Sequence, residues 1–533
     1  PTPLFDHSGR EVERHDLGAR SGEGGRTGAG SSGDVENALA PLRVDSAHGG
    51  DAPERRVAPR QHRVRAVVAA GDAIEHRRDF ARCLRQIGPR HTSKSSERPP
   101  RVRRERPGEV SSAQYPEQVP DSAATGARLR AVTAAVASHD DLLEFADPAH
   151  PLAALRRGDG IVGIGVAARL TFTGPQRLTD AADAWRRLCA DADVVDEVHA
   201  PGSGLVAFGT FAFADHSSAT SVLIVPELIV GRHDGTSWLT RISTADAVDS
   251  SAVAATAPVG ERPRATLAAA SLSREGFTKV VRRAVDAIRA GRVEKVVIAR
   301  DAVASIPHNA DRRSLLRELA DRYPDCLTFA VDGLLGASPE TLVSVHAREA
   351  SARVLAGSTA RGASAADDAA VSAELATSQK DLDEHAFAVR SVLDALHPHV
   401  RAITASESPF TLKLPNLWHL ATDIEMQLGD GASALDLVAA LHPTAAVAGS
   451  PRDAALDLIA ELEPFDRGRY AGPVGWIDND GDGEWVIALR CARVDDDGTL
   501  TAYAGAGIVA DSDPDSELAE TRLKFRPIAE ALR

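Results

Sequence analysis

REGFTKVVRRAVDAIRAGRVEKVVIAR, residues 274–300, reads as one helix passing directly into one strand. The strand half, VEKVVIAR at 293–300, has the branched apolar composition of a buried strand, yet Lys295 stands near its centre. The chain contains only six lysines, at 94, 279, 295, 380, 413 and 524, against 61 lysines and arginines together. Arginine is the default cation here, so a lysine in a strand points to an amine able to give up its proton, which a guanidinium cannot. A lysine that snorkels from a sheet edge fits the same residues.

Outward from this stretch, ATGARLRAVTAAVASHDDLLEFA predicts a helix, and GIVGIGVAARLTF, SGLVAFGTFAFA and ATSVLIVPELIVGRHDG predict strands. After residue 300, short strands with turn signals alternate with three or four helices to the end of the chain. The pattern is α+β with much sheet, and no Gly/Ser linker divides residues 125–533.

The 533 residues, 43% hydrophobic, suffice for a very large core of the globular class. No apolar run reaches the roughly 18 residues of a membrane span, and PTPLFDHSGREVERHDLGAR carries no signal-type apolar stretch, so the expected compartment is cytoplasmic. Cys83, Cys189, Cys326 and Cys491 lie far apart without CxxC spacing, which indicates neither a disulfide framework nor a zinc site. A net charge of −15 argues against general affinity for nucleic acid or an anionic membrane. That charge is uneven: residues 1–120 sum to near +4 and the remainder to near −19. SGEGGRTGAGSSGD and RHTSKSSERPPRVRRERPGE predict a disordered Arg/Gly/Ser/Pro-rich arm over residues 1–120, with residues 125–533 as the ordered catalytic domain. The arginine runs keep nucleic-acid binding as a competing function, although no aromatics interleave them as a stacking platform requires.

Two motifs fail on inspection. GIGVAARL lacks the third glycine of a dinucleotide fingerprint and continues as strand. IDNDGDGEW places Asp478, Asp480, Asp482 and Gly483 like a calcium loop, but the twelfth position is Leu489, where a bidentate Glu is required, so a hairpin turn is expected.

SELAETRLK carries Glu517 and Glu520 three apart with Lys524 four further on, so on a helix the three share one face. A cation site fits that spacing, although a solvated salt-bridge face is the commoner reading of such a pattern. Glu384, in KDLDEHAFAV, lies nearly opposite the stripe Leu382, Ala386, Val389, Leu393 and Leu396, and periodicity places it in solvent.

From residue 290 to 525 the blocks KVVIAR, GASPETLVSV, LAGSTARG, KDLDEHAFAV, LPNLWHLATDIE, LHPTAAVAGSP, ELEPFDRGRYAGPVGWID, EWVIALRCARV, AGAGIVADSDP and SELAETRLK occur in order. Together they resemble the chorismate-utilising enzymes, the family of anthranilate synthase component I, and among them the isochorismate synthases. The likeness is strongest over residues 270–530 and does not extend to the first 120. It implies large, mostly antiparallel sheets packed together with helices outside and the active site between them. It further implies that Glu384, Glu517 and Glu520 hold Mg²⁺, a hard cation suited to carboxylates. Lys295 becomes the general base for water added at C2 of chorismate, and Glu340 the acid for the departing C4 hydroxyl. For those roles the amine must lose its proton and the carboxyl keep one, so desolvation should move the two pKa values down and up.

Arg490, in a strand after the hairpin, and Lys524 match positions for the enolpyruvyl carboxylate. Gly357, Ser358 and Gly505 match close backbone approaches, and His419 matches a substrate contact. Tyr470, Leu489 and Tyr503 match the apolar wall, the tyrosines standing where phenylalanine is common in the family. Lysine rather than glutamine at 295 implies no glutaminase partner. A monomer acting on chorismate, without nucleic acid or membrane, is expected. Salicylate synthase, which goes on to eliminate pyruvate, is the runner-up. The product's destination in siderophore, salicylate or menaquinone synthesis stays open.

Overall fold

The helix of the opening stretch runs Arg274–Arg289, and its sequence accounts for both ends. Ser273 accepts from the Gly276 amide as its cap, and Gly291, at φ 75°, turns the chain out of it. Phe277, Val281, Ala284 and Ile288 form its buried stripe. The chain re-emerges as the strand Lys295–Ser305, which pairs antiparallel with Thr499–Ile508 from Val296 opposite Ile508 to Ser305 opposite Thr499.

The computed structural model describes residues 128–244, 254–362, 364–413 and 417–533. The arm expected over residues 1–120 lies outside them, as do the side chains of Ser358 and Glu384. The described strands form one sheet of 13 strands and one of 10. Their pairings are antiparallel, save that Leu129–Ala135 runs parallel to Asp193–Asp196. One apolar cluster joins Ile298 and Phe329 of the larger sheet to Phe208, Val343 and Trp485 of the smaller, so the two sheets share an interior. A second cluster joins Ala302, Leu500 and Ala504 of the larger sheet to Leu315 and Leu319 of the helix Arg313–Arg322 and Phe525 and Ile528 of the helix Pro514–Ala531. This is the expected α+β architecture, with two large, mostly antiparallel sheets packed together and helices outside. Among the described residues no helix is long and apolar enough to cross a membrane.

Four expectations change. After residue 300 the described residues form six α-helices rather than three or four, because Ala365–Thr377 and Gln379–Leu396 meet at Ser378 and the short Ala434–Leu441 and Arg452–Leu462 stand apart. The alanine-rich segment expected to be helical forms the strand Leu129–Ala135 and the short 3-10 helix Leu142–Phe145. Pairing on both sides of the strand outweighs alanine's helix preference there. GIVGIGVAARLTF is two strands in different sheets: Asp159–Ile164 pairs with Leu228–His233, and Ala168–Phe172 with Ser221–Val225. EWVIALRCARV is likewise split. Gly483–Ile487 belongs to the smaller sheet and Cys491–Val494 to the larger, so Leu489 and Arg490 stand at the crossover rather than in a strand. Arg490 takes φ 49° there, a left-handed conformation that ends the ladder. The turn between Pro473–Asp478 and Gly483–Ile487 is the expected hairpin.

Candidate active site

A second crossover sets the site. Leu334–Ser338 belongs to the larger sheet and Thr341–His346 to the smaller, which leaves Glu340 on the connection. Three bonds hold it. The Ser338 hydroxyl donates to the Ile487 carbonyl at 2.6 Å and accepts from the Glu340 amide at 3.2 Å, and the Ile487 amide donates to the Glu340 carbonyl at 3.0 Å. The backbone at the seam is thus satisfied without a ladder, and the carboxyl is left for other work.

Lys295 and Glu340 are brought together, each half-buried and each within the other's field. Burial holds the amine below its ordinary value against the opposing pull of Glu340, and the nearby Lys524 lowers it further. Burial also pushes the Glu340 carboxyl up, against the pull of Lys295 and Lys524. Desolvation favours the neutral form of both groups, so an uncharged amine faces an uncharged acid more readily than in water.

Gly507 makes room for the amine. A Cβ there would stand 3.1 Å from Cε of Lys295 and 3.8 Å from Nζ. Sequence reasoning passed over this residue, although glycines two apart at 505 and 507 bare one face of a strand. At Gly505 a Cβ would stand 3.1 Å from the Tyr470 hydroxyl. The rings of Tyr470 and Tyr503 stack with centroids 5.1 Å apart and planes 13° from parallel. Both are buried, and burial pushes their hydroxyls up, that of Tyr503 to about 12. Leu489 is half-buried against the shared core.

His419 faces Ser358 across the pair Glu349–Ala360 and Leu417–Leu428. Their register slips between Ala356 and Ser358, so Gly357 is the bulged residue, at φ 78°. Its carbonyl accepts from the His419 imidazole. Burial, with help from the charges of Lys295 and Lys524, lowers that imidazole to about 4, which keeps it neutral near pH 7.

On the helix Pro514–Ala531, Lys524 donates to the Gly505 carbonyl at 2.8 Å and pairs with Glu520 at 2.6 Å. Burial raises the Glu517 carboxyl, and the neighbouring Glu520 raises it further, against a bond from Ser512 and the charge of Lys524. Two like-charged carboxylates on one face suit a hard dication. Among the described residues no three His, Cys, Asp or Glu side chains converge on one point. Glu384 lies on the helix Gln379–Leu396, its side chain outside the described residues.

Arg490 stands at the crossover, its carbonyl accepting from the Ala337 amide at 3.3 Å. Its charge acts on the Tyr323 hydroxyl and the Cys326 thiol, whereas the charges acting on Glu340 are those of Lys295 and Lys524. Lys295, Glu340, His419, Lys524, Tyr470 and Gly505 therefore form one neighbourhood.

The family model described as chorismate binding enzyme matches residues 152–533. The isochorismate synthase DhbC of Bacillus subtilis is 41% identical over 270 residues, which are 48% of this chain and 68% of that protein. The salicylate biosynthesis isochorismate synthase of Pseudomonas aeruginosa is 34% identical over 395 residues, 69% of this chain and 82% of that one. Among solved structures, MenF, the menaquinone-specific isochorismate synthase of Escherichia coli, superposes with a TM-score of 0.60 at 23% identity, covering 76% of this chain and 95% of that chain.

Proposed function

The chain belongs to the chorismate-binding enzymes, and from that membership we propose that it is an isochorismate synthase, adding water at C2 of chorismate and expelling the C4 hydroxyl. The observation that carries this reading is the Lys295–Glu340 pair, in which burial moves amine and acid toward the protonation states the exchange requires. Neutral Lys295 takes a proton from the attacking water as its oxygen bonds to C2. Glu340 gives a proton to the C4 oxygen, which leaves as water while the ring double bond shifts. Water is consumed and released, so the reaction is an isomerisation.

The remaining residues bind and orient. Lys524 supplies a cation, held against the Gly505 carbonyl, for the enolpyruvyl carboxylate. Arg490, at the crossover beside Leu489, would supply the second cation for that carboxylate. Neutral His419, fixed by the Gly357 carbonyl, presents its ring without adding charge. The bared strand at Gly505 and the Tyr470–Tyr503 stack supply a flat wall for the ring. Glu520 and Glu517, with Glu384, would hold Mg²⁺, whose charge would neutralise the ring carboxylate.

Incubation of the protein with chorismate and Mg²⁺, followed by chromatography, tests the assignment. Isochorismate as sole product supports it. Salicylate with pyruvate would establish the runner-up, and unchanged chorismate or anthranilate would refute both.

A further inference from the structure

We propose that the buried pair Glu463–Arg467 is a positioning device for this reaction, completing with side chains the hydrogen-bonded edge of the strand that carries Lys295 and tying to it the turn that carries Tyr470. The proposal rests on the reading of Lys295 as the base.

One edge of the strand Lys295–Ser305 is paired along its length by Thr499–Ile508. On the other edge, Gly449–Ser450 pairs with Val296 and Lys295, and Ala268–Ala269 pairs with Val303 and Ala302. Between them the strand needs partners of another kind. The Val297 amide donates to the Ala448 carbonyl at 2.9 Å. The next two rungs are side chains: Arg467 Nη2 donates to the Val297 carbonyl at 2.7 Å, and the Ala299 amide donates to Glu463 Oε1 at 2.7 Å. The pair stands where a strand would otherwise lie.

The same two residues reach further. Arg467 Nη1 donates to the Val447 carbonyl at 2.9 Å, and its guanidinium lies 4.4 Å from the centre of the Phe213 ring. Nε and Nη2 donate to the two Glu463 oxygens at 2.9 and 2.6 Å. Glu463 closes the helix Arg452–Leu462, its amide bonded to the Ile459 carbonyl. The Arg467 carbonyl accepts from the Tyr470 amide at 3.0 Å, which closes the turn that delivers Tyr470 to Gly505. Side-chain exposures of 3% and 1% put both ions out of water.

Buried ion pairs are poor stabilisers, because desolvation offsets their attraction and apolar replacements are often as stable. What a planar fork supplies is geometry: it satisfies two carbonyls and a carboxylate at once, which an ammonium does not. The pair therefore sets the register of Lys295 and Tyr470 rather than acting on substrate.

Arg467→Lys, Glu463→Gln and the milder Phe213→Leu test this, with each variant assayed well below its thermal midpoint. Displacing the amine by a fraction of an ångström should lower kcat on the order of ten- to a hundredfold, with KM for chorismate within about threefold and no rescue in Arg467→Lys. Reductive methylation of Lys295, scored by mass spectrometry against exposed Lys279, should change its rate ratio more than about threefold. Folded variants with normal kcat, a raised KM at unchanged kcat, or an unchanged methylation ratio would overturn the proposal. A wild-type protein that makes no isochorismate would defeat the functional reading and with it the catalytic part of the proposal, while the methylation ratio, which needs no turnover, still decides whether the pair positions the amine.

Discussion

Replacing Lys295 is the sharpest perturbation of the proposed chemistry. A free lysine, with a pKa near 10.4, is neutral in only about 4 of 10⁴ molecules at pH 7, and each unit of depression multiplies that fraction tenfold. The structure supplies the depression: burial outweighs the attraction of Glu340, and Lys524 adds to it. Lys295→Gln removes the proton acceptor, and Lys295→Arg replaces it with a group that stays charged. Loss of a general base is worth about 10² to 10⁴ in turnover, so both variants should fall by that range.

The pH profile gives the discriminating sign. The competent state has Lys295 unprotonated and Glu340 protonated, so the wild-type rate rises with pH as the amine requirement is met and falls as Glu340 ionises. The two limbs belong to the coupled pair rather than to either residue. In Lys295→Gln only the requirement for protonated Glu340 remains, so the rise should vanish and the fall persist. The assay is isochorismate formation by chromatography from about pH 5 to 10, with circular dichroism and chorismate binding as controls for fold and site. A folded Lys295→Gln protein that turns over at the wild-type rate, or keeps a rising limb, would refute the assignment.

Gly507→Ala places a methyl group 3.1 Å from Cε of Lys295, so the amine must shift by a few tenths of an ångström, and turnover should drop about tenfold with little change in KM; unchanged turnover would show that the stem adapts freely. Chelation should abolish activity and Mg²⁺ restore it, and by calorimetry Glu520→Gln should weaken Mg²⁺ binding more than Glu517→Gln does; full activity in excess chelator would remove the metal from the proposal. Gly357→Ala forces a side chain onto φ 78° with its Cβ 3.2 Å from Leu420, which should cost about 1–2 kcal/mol in chemical denaturation and raise KM for chorismate as the bulge beside His419 loosens; a variant as stable as wild type would show that the bulge relaxes.

Local chemistry made some of the fold legible. The helix Arg274–Arg289 announces itself by a cap, an apolar stripe and a terminal glycine, and the aspartate-rich hairpin by its turn residues. The crossovers did not show, for a physical reason. Gly483–Ile487 and Cys491–Val494 are buried in different sheets, and the chain passes between them in three residues with no glycine or proline to mark the change, the single Arg490 reading as one more strand position. Leu129–Ala135 failed in the opposite way, its alanines carrying a helical preference that strand pairing on both sides overrides. For the site, Lys295 drew attention as a rare amine in an apolar strand. Glu340 is 45 residues away, and only the family resemblance joined the two.

One crossover missed by periodicity is also where the proposed acid, Glu340, sits. Within a sheet, ladder bonds consume the backbone's polar groups, and side chains point into the shared core or toward the helices. A carboxyl there is either exposed or costly to bury. Where the chain leaves one sheet for the other, the ladder stops and side-chain bonds such as Ser338 to Ile487 take over. Glu340 can then stand between the sheets, desolvated enough for its carboxyl to be pushed up, yet near enough to Lys295 for each to act on the other. The strand opposite meets the same need from its own side, its outer edge being finished by Glu463 and Arg467 rather than by further backbone. Periodicity describes ladders; the paired acid and amine arise where ladders end, which is why a pattern-based reading located the sheets better than the site between them.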